Sequence, residues 1–199
     1  MKKYLLSLAL ILIPLCGWGQ AKVYTMKMKI ADFPAKTTMV VLDGDEEFRT
    51  ALRDAVSGFW RLSPYEFCSE EEYGKSKNDN SFYFIRPVVS DGICWLSLSK
   101  GGKEKAEDSM KASFELTRIP VGIEYAHFGA FIDILQDFTE KAMESDRVAY
   151  SGLRYNNGKG ASEIRRALKE DPESIVTVRV DGFEIVYDAM THELYRFKK

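Results

Sequence analysis

Apolar side chains recur along this chain with two periods, and the changes of period mark its elements. "TMVVLD" (38–43) is a short β-branched run that Gly44-Asp45 breaks. In "DEEFRTALRDAVSGFW" (45–60), Phe48, Leu52, Val56, Phe59 and Trp60 return every three or four residues, which predicts a helix with one apolar face. Asp45, Glu46 and Glu47 fall in its first turn, where the helix dipole favours negative charge. Pro64 opens a strand-like stretch, Tyr65 to Cys68, and Ser69 with Glu72 forms the capping-box pattern of a short helix from about Glu70 to Lys75.

"SFYFIRPVV" (81–89) and "ICWLSLS" (93–99) flank Asp91-Gly92, which can supply the positive φ angles of a hairpin turn. Cys94, Leu96 and Leu98 alternate with Trp95, Ser97 and Ser99, so one face is expected on the core and the other to be polar. Pro87 predicts that its strand ends or reaches an edge there. After a charged loop (100–111) comes another strand, 112–121, and then the longest periodic segment, Ile123 to about Glu144. Phe128, Phe131, Ile132, Leu135, Phe138 and Ala142 line one side of that helix; Asp133, Asp137, Glu140, Lys141 and Glu144 line the other, which reads as a solvated face. A short helix at 162–170 follows, then a hairpin turning at Asp181-Gly182 and a third strand beyond Asp188 to Thr191. Residues 20–37, with spaced lysines, read as a leader or an edge strand. The expectation is an α/β fold, with α+β open: a mixed β-sheet with packed helices and a C-terminal β-meander, in one domain over 20–199.

The first residues change the picture of where the chain works. Lys2-Lys3, an apolar run from Tyr4 to Leu15, and Gly17-Trp18-Gly19 follow the order of a signal peptide over 1–19. That run is shorter than the roughly 20 residues a membrane span needs. Leu15 stands before Cys16 where lipidation requires a small residue, so removal of Cys16 with the leader is favoured over an anchor. Losing Lys2 and Lys3 takes 28 basic residues to 26 against 30 acidic, a net charge of −4. Without a basic excess, nucleic acid and anionic membrane surfaces are poor partners. Cys68 and Cys94 remain, both in predicted strands, and an oxidising compartment would permit a disulfide; buried free thiols are the alternative.

Candidate chemistry is sparse. "SGLRYNNGKGASEIRRAL" (151–168) reads like a glycine-rich loop feeding a helix. It misses the phosphate-loop spacing, because five residues separate Gly152 from Gly158 and Gly160 stands where the hydroxyl residue belongs. Lys159 beside a helix start is the residue that would contact an anion there. "DGDEE" (43–47) lacks the continuation of a calcium loop. His127 and His192 are the only histidines, too few for a zinc set; each reads as a structural histidine, with His127 the one that could pair with a cysteine nucleophile. Trp95, on the polar face of its strand with Tyr83 nearby, is the candidate exposed aromatic platform for a ligand. No cofactor is implied.

From "MVVLDGDEEF" through "YEFCSEEEYGKSKNDNSFYFI" and the helix after "FELTRIPV", the chain resembles exported, uncharacterised proteins of Bacteroidetes. The same order is similar to α/β domains of envelope assembly, such as the TolB N-terminal domain and the curli-secretion lipoprotein. That resemblance implies a scaffold or partner-binding role and transfers no site residue. The expected function is therefore non-catalytic: a periplasmic or secreted protein that binds an envelope protein or glycan. A small hydrolase or a carbohydrate-binding module is the alternative. A binding module should expose an apolar patch or an open sheet edge, at 23–30 or 192–197; an enzyme should gather His127 or a cysteine with other polar groups in a pocket.

Overall fold

The computed structural model describes residues 26–102, 113–122, 125–157 and 161–199. The expected leader (1–19), Cys16 and Lys159 lie outside these residues.

A βαβαβ unit forms first. Strand β1 (Thr37–Val41) leads into helix α2 (Glu46–Phe59), strand β2 (Tyr65–Cys68), helix α3 (Glu70–Ser76) and strand β3 (Phe82–Ser90); helix α1 (Met26–Ile30) precedes them. β1 pairs parallel with both β2 and β3. β3 turns back antiparallel to β4 (Ile93–Gly101), and β4 to β5 (Ser113–Pro120), giving the order β2-β1-β3-β4-β5. Helices α4 (Phe128–Glu144), α5 (Asp146–Ser151) and α6 (Ala161–Glu170) follow, then β6 (Ile175–Val180), β7 (Phe183–Asp188) and β8 (Leu194–Lys198) in a separate antiparallel sheet. The α/β class, the mixed sheet and the C-terminal meander are all present.

Local chemistry explains the start of each early helix. Asp45 caps α2 by accepting from the Phe48 N–H at 2.8 Å. Ser69 and Glu72 close a complete capping box on α3. α2 and α4 bury their apolar stripes against one face of the large sheet, in a core that includes Val40, Tyr83, Ile85, Leu96 and Leu98. The small sheet joins the same core through Phe183, Ile185, Tyr187, Leu194 and Phe197. α3 crosses the opposite face, where Tyr73 packs with Val41, Cys68 and Phe84.

Several expectations are corrected here. Residues 26–30 are helix α1, not an edge strand. The long helix starts at Phe128 and is entered by a 3₁₀ turn, Tyr125–His127. Phe59 remains 38% exposed, lying over Gly129 and beside the His192 ring. The acidic side of α4 is half covered: Asp133 meets His192 and Asp137 accepts from the Tyr155 hydroxyl. At Pro87 β3 does reach an edge, as expected, while the strand itself continues to Ser90. Its pairing with β1 ends at Ile85, and the antiparallel alternation aims the missing N–H at that vacated side, so proline breaks no ladder bond.

The polar face of β4 is not solvated. Trp95 is 6% exposed, with the Arg118 guanidinium 4.3 Å from its ring and Phe183 edge-on at 5.0 Å. Ser97 is buried and donates to Glu115 at 3.0 Å.

Candidate functional site

A cleft of about 560 Å³ opens where the large sheet meets the small one. One wall comes from the segments that follow β1, β3 and β5, together with the start of β4. The α2 cap places Phe48, which packs edge-on against Tyr125 (5.6 Å) and Phe128 (5.2 Å). Asp91 and Gly92 both adopt left-handed φ, 55° and 77°, and turn the chain so that Gly92 and Cys94 reach the cleft. Val121 joins them by donating its N–H to the Cys94 carbonyl at 2.9 Å. His127 and Phe131 come from the start of α4. The other wall is β6: Thr177, Val178, Arg179, Val180 and then Asp181.

The polar groups of this cleft are mostly neutral or occupied. Burial pushes the Cys94 thiol up, away from the thiolate a nucleophile needs. Burial raises the Tyr125 hydroxyl too, helped by the carboxylates of Asp45 and Glu47. His127 Nδ1 lies 2.8 Å from the Tyr187 hydroxyl, itself raised by burial. The Arg179 guanidinium is held by Glu184 across the hairpin at 3.1 Å.

A second cleft of about 460 Å³ adjoins the first and shares Tyr125 with it. His192 lines it with left-handed backbone (φ 56°), its Nδ1 2.8 Å from Asp133 Oδ2. The Tyr187 ring stands between the two histidines, 6.2 Å from His127 and 6.1 Å from His192. The sequence places these histidines 65 positions apart and offers no hint that one tyrosine separates them.

The candidate residues are thus scattered. His127 does line a cleft, and Cys94 lines the same one. Trp95 is buried and cannot serve as an exposed platform. Tyr83 is on the opposite sheet face, fully buried, donating to Asp32 at 2.6 Å, so the two aromatics do not form one surface. Cys68 and Cys94 are free. Two strands intervene, about 14 Å at ~4.8 Å per strand, whereas a disulfide tolerates about 7 Å between Cα atoms. Among the described residues no group of His, Cys, Asp and Glu could hold a metal.

The open edge falls elsewhere than expected. At β8, Asn156 donates to the Leu194 carbonyl, while Asn157 donates to Phe197 O (2.6 Å) and accepts from Phe197 N (2.8 Å). Two side-chain amides thereby close that edge as a strand would. β6 has no such cover among the described residues. Alternate residues of a strand point to opposite faces, so a cleft that touches consecutive positions 177 to 180 runs along the strand's edge. Asp181-Gly182 is a two-residue turn with φ of 47° and 82°, which makes Val180–Phe183 a hydrogen-bonded pair. The alternation then directs the N–H and C=O groups of Thr177 and Arg179 outward, into the cleft. Compared with known proteins, the chain matches no family model, no curated protein and no solved structure.

Proposed function

We propose that this protein is an exported, non-catalytic binding protein of the cell envelope, and that its partner enters the cleft beside β6. The observation that carries this reading is the outward main chain of Thr177 and Arg179 along the cleft, in a fold that closes its other small-sheet edge with Asn156 and Asn157. Placement supports it. α2 and α3 cross opposite faces of the sheet, so the winding reverses beside β1, and ligands of open α/β sheets gather outside the carboxyl ends of strands at such a point. The similarity to envelope-assembly domains expected from the sequence would imply the same kind of role.

A hydrolase reading draws on Cys94 and His127 sharing the cleft. Against it, burial keeps the thiol protonated, and Nδ1 of His127 is turned to Tyr187. The test is a photo-cross-linking residue placed at Thr177, with one at Tyr150, an exposed position off both clefts, as control. In the native envelope fraction the Thr177 probe should give a discrete adduct that the Tyr150 probe does not. Equal labelling from both positions, or none, overturns the assignment of the cleft.

A further inference from the structure

The charges around the cleft narrow what can occupy it. Asp45 and Glu47 belong to the turn that presents Phe48, Asp91 precedes Gly92, and Asp181 lines the cleft itself; all four side chains are exposed. Arg179, the basic side chain of the lining, is outnumbered by these four carboxylates and turns to Glu184, which Arg196 and Lys198 also contact. The cleft mouth is therefore acidic, while its floor, with Phe48, Val121 and Phe131, is apolar. Tyr125, in the lining, lies close enough to Asp45 and Glu47 that they add to the effect of burial in raising its hydroxyl. A sheet edge with unpaired main chain selects an extended backbone, and alternating side chains then meet the floor and the rim in turn.

The geometry points to a basic, extended peptide segment as the occupant, added as a fourth strand to the small sheet through the main chain of Thr177 and Arg179. Its apolar side chains face Phe48, Val121 and Phe131, and its cations face Asp45, Glu47, Asp91 and Asp181. This rests on the cleft being the binding site, and it adds the backbone conformation and the charge of the partner. Charge complementarity of this kind acts mainly on encounter and selectivity and is screened by salt.

The test uses the chain without residues 1–19 and three capped heptapeptides: alternating Lys and Val, alternating Glu and Val, and the Lys–Val peptide N-methylated at alternate residues. Binding is read by amide chemical shifts, and strand addition by slowed hydrogen exchange of the Thr177 and Arg179 amides. The Lys–Val peptide should bind about tenfold more tightly than the Glu–Val peptide at low salt, and that ratio should shrink in 0.5 M salt by roughly the loss expected of screened charges. N-methylation should cost about tenfold, since it removes main-chain donors and keeps the charge. Thr177→Pro should fold with unchanged circular dichroism, because its lost N–H points outward, and should lose the peptide by a similar factor. Equal binding of all three peptides, undiminished binding by Thr177→Pro, or no binding of any peptide overturns the inference. Shifts at Cys94 and Phe131 without slowed exchange at Thr177 and Arg179 also overturn it, while leaving the cleft itself as the binding site. The cross-linking experiment in the native envelope decides that separate point.

Discussion

Gly101→Ala should destabilise the fold by about 3 kcal/mol, although the substitution adds one methyl group. Gly101 ends β4 with an ordinary φ, so the backbone there accepts any residue. The obstacle is space: a Cβ would stand 2.1 Å from the Asp79 carbonyl oxygen and 3.0 Å from the Phe84 ring. The carbonyl would have to retreat by roughly 1 Å to reach ordinary contact, and overpacking of this kind costs about 1–3 kcal/mol. The turn that must move is tied by Asp79 N to Ser76 O (2.8 Å) and by Gly102 N to Lys77 O (3.1 Å). Losing one or two such bonds adds about 1 kcal/mol each. Urea unfolding of the chain without residues 1–19 measures the difference directly, and the melting temperature should fall by roughly 6–12 °C. Gly58→Ala is the control. Gly58 lies inside α2 with nothing within 4 Å of its Cβ position, so alanine there should stabilise by about 0.5–1 kcal/mol. A Gly101→Ala protein within about 0.5 kcal/mol of wild type, a surface-like effect, would refute the packing described for this corner.

Other consequences are as specific. Ser69→Ala removes a complete capping box and should cost about 1 kcal/mol in denaturant unfolding, with Glu72→Ala costing no more, since that side chain supplies only the return half. Phe138→Ala, fully buried in the core beneath α4, should cost about 3–5 kcal/mol. Burial opposes the charge on Asp32, but hydrogen bonds from Lys100, Tyr83 and Lys36 outweigh it and hold the carboxyl at about 2. Its contribution is therefore present above its unfolded value of 3.8 and is lost as pH falls toward 2. With the carboxylate 39% exposed and screened, the loss should be about 1 kcal/mol, and Asp32→Asn should flatten that part of the stability profile. A thiol titration of the denatured chain without residues 1–19 should find both Cys68 and Cys94 free.

What the sequence made legible was whatever local chemistry decides. The Ser69–Glu72 box, the Asp45 cap, the Asp91-Gly92 and Asp181-Gly182 turns and the α4 stripe each depend on residues a few positions apart. Long-range neighbours were not legible. The alternation around Trp95 states that its face differs from that of Leu96, but not that Arg118 and Phe183 cover it. "IVTVRV" identifies β6 as a strand without telling an edge from an interior position, and nothing in "YNNG" announces that Asn156 and Asn157 seal β8 instead. His127 was a candidate on residue type alone; the Tyr187 contact that orients it comes from a strand 60 residues away. The acidic face of α4 looked solvated because the side chains that cover it, His192 and Tyr155, come from distant turns.

Hydrogen exchange along β6 in the protein alone tests the central claim most directly. If β6 is the open wall of the cleft, the Val176, Val178 and Val180 amides, bonded to β7, should exchange slowly, while Thr177 and Arg179 between them exchange at rates near those of an unfolded chain. Uniform protection of all five amides would mean that the edge is already covered, and the binding site proposed here would fall with it.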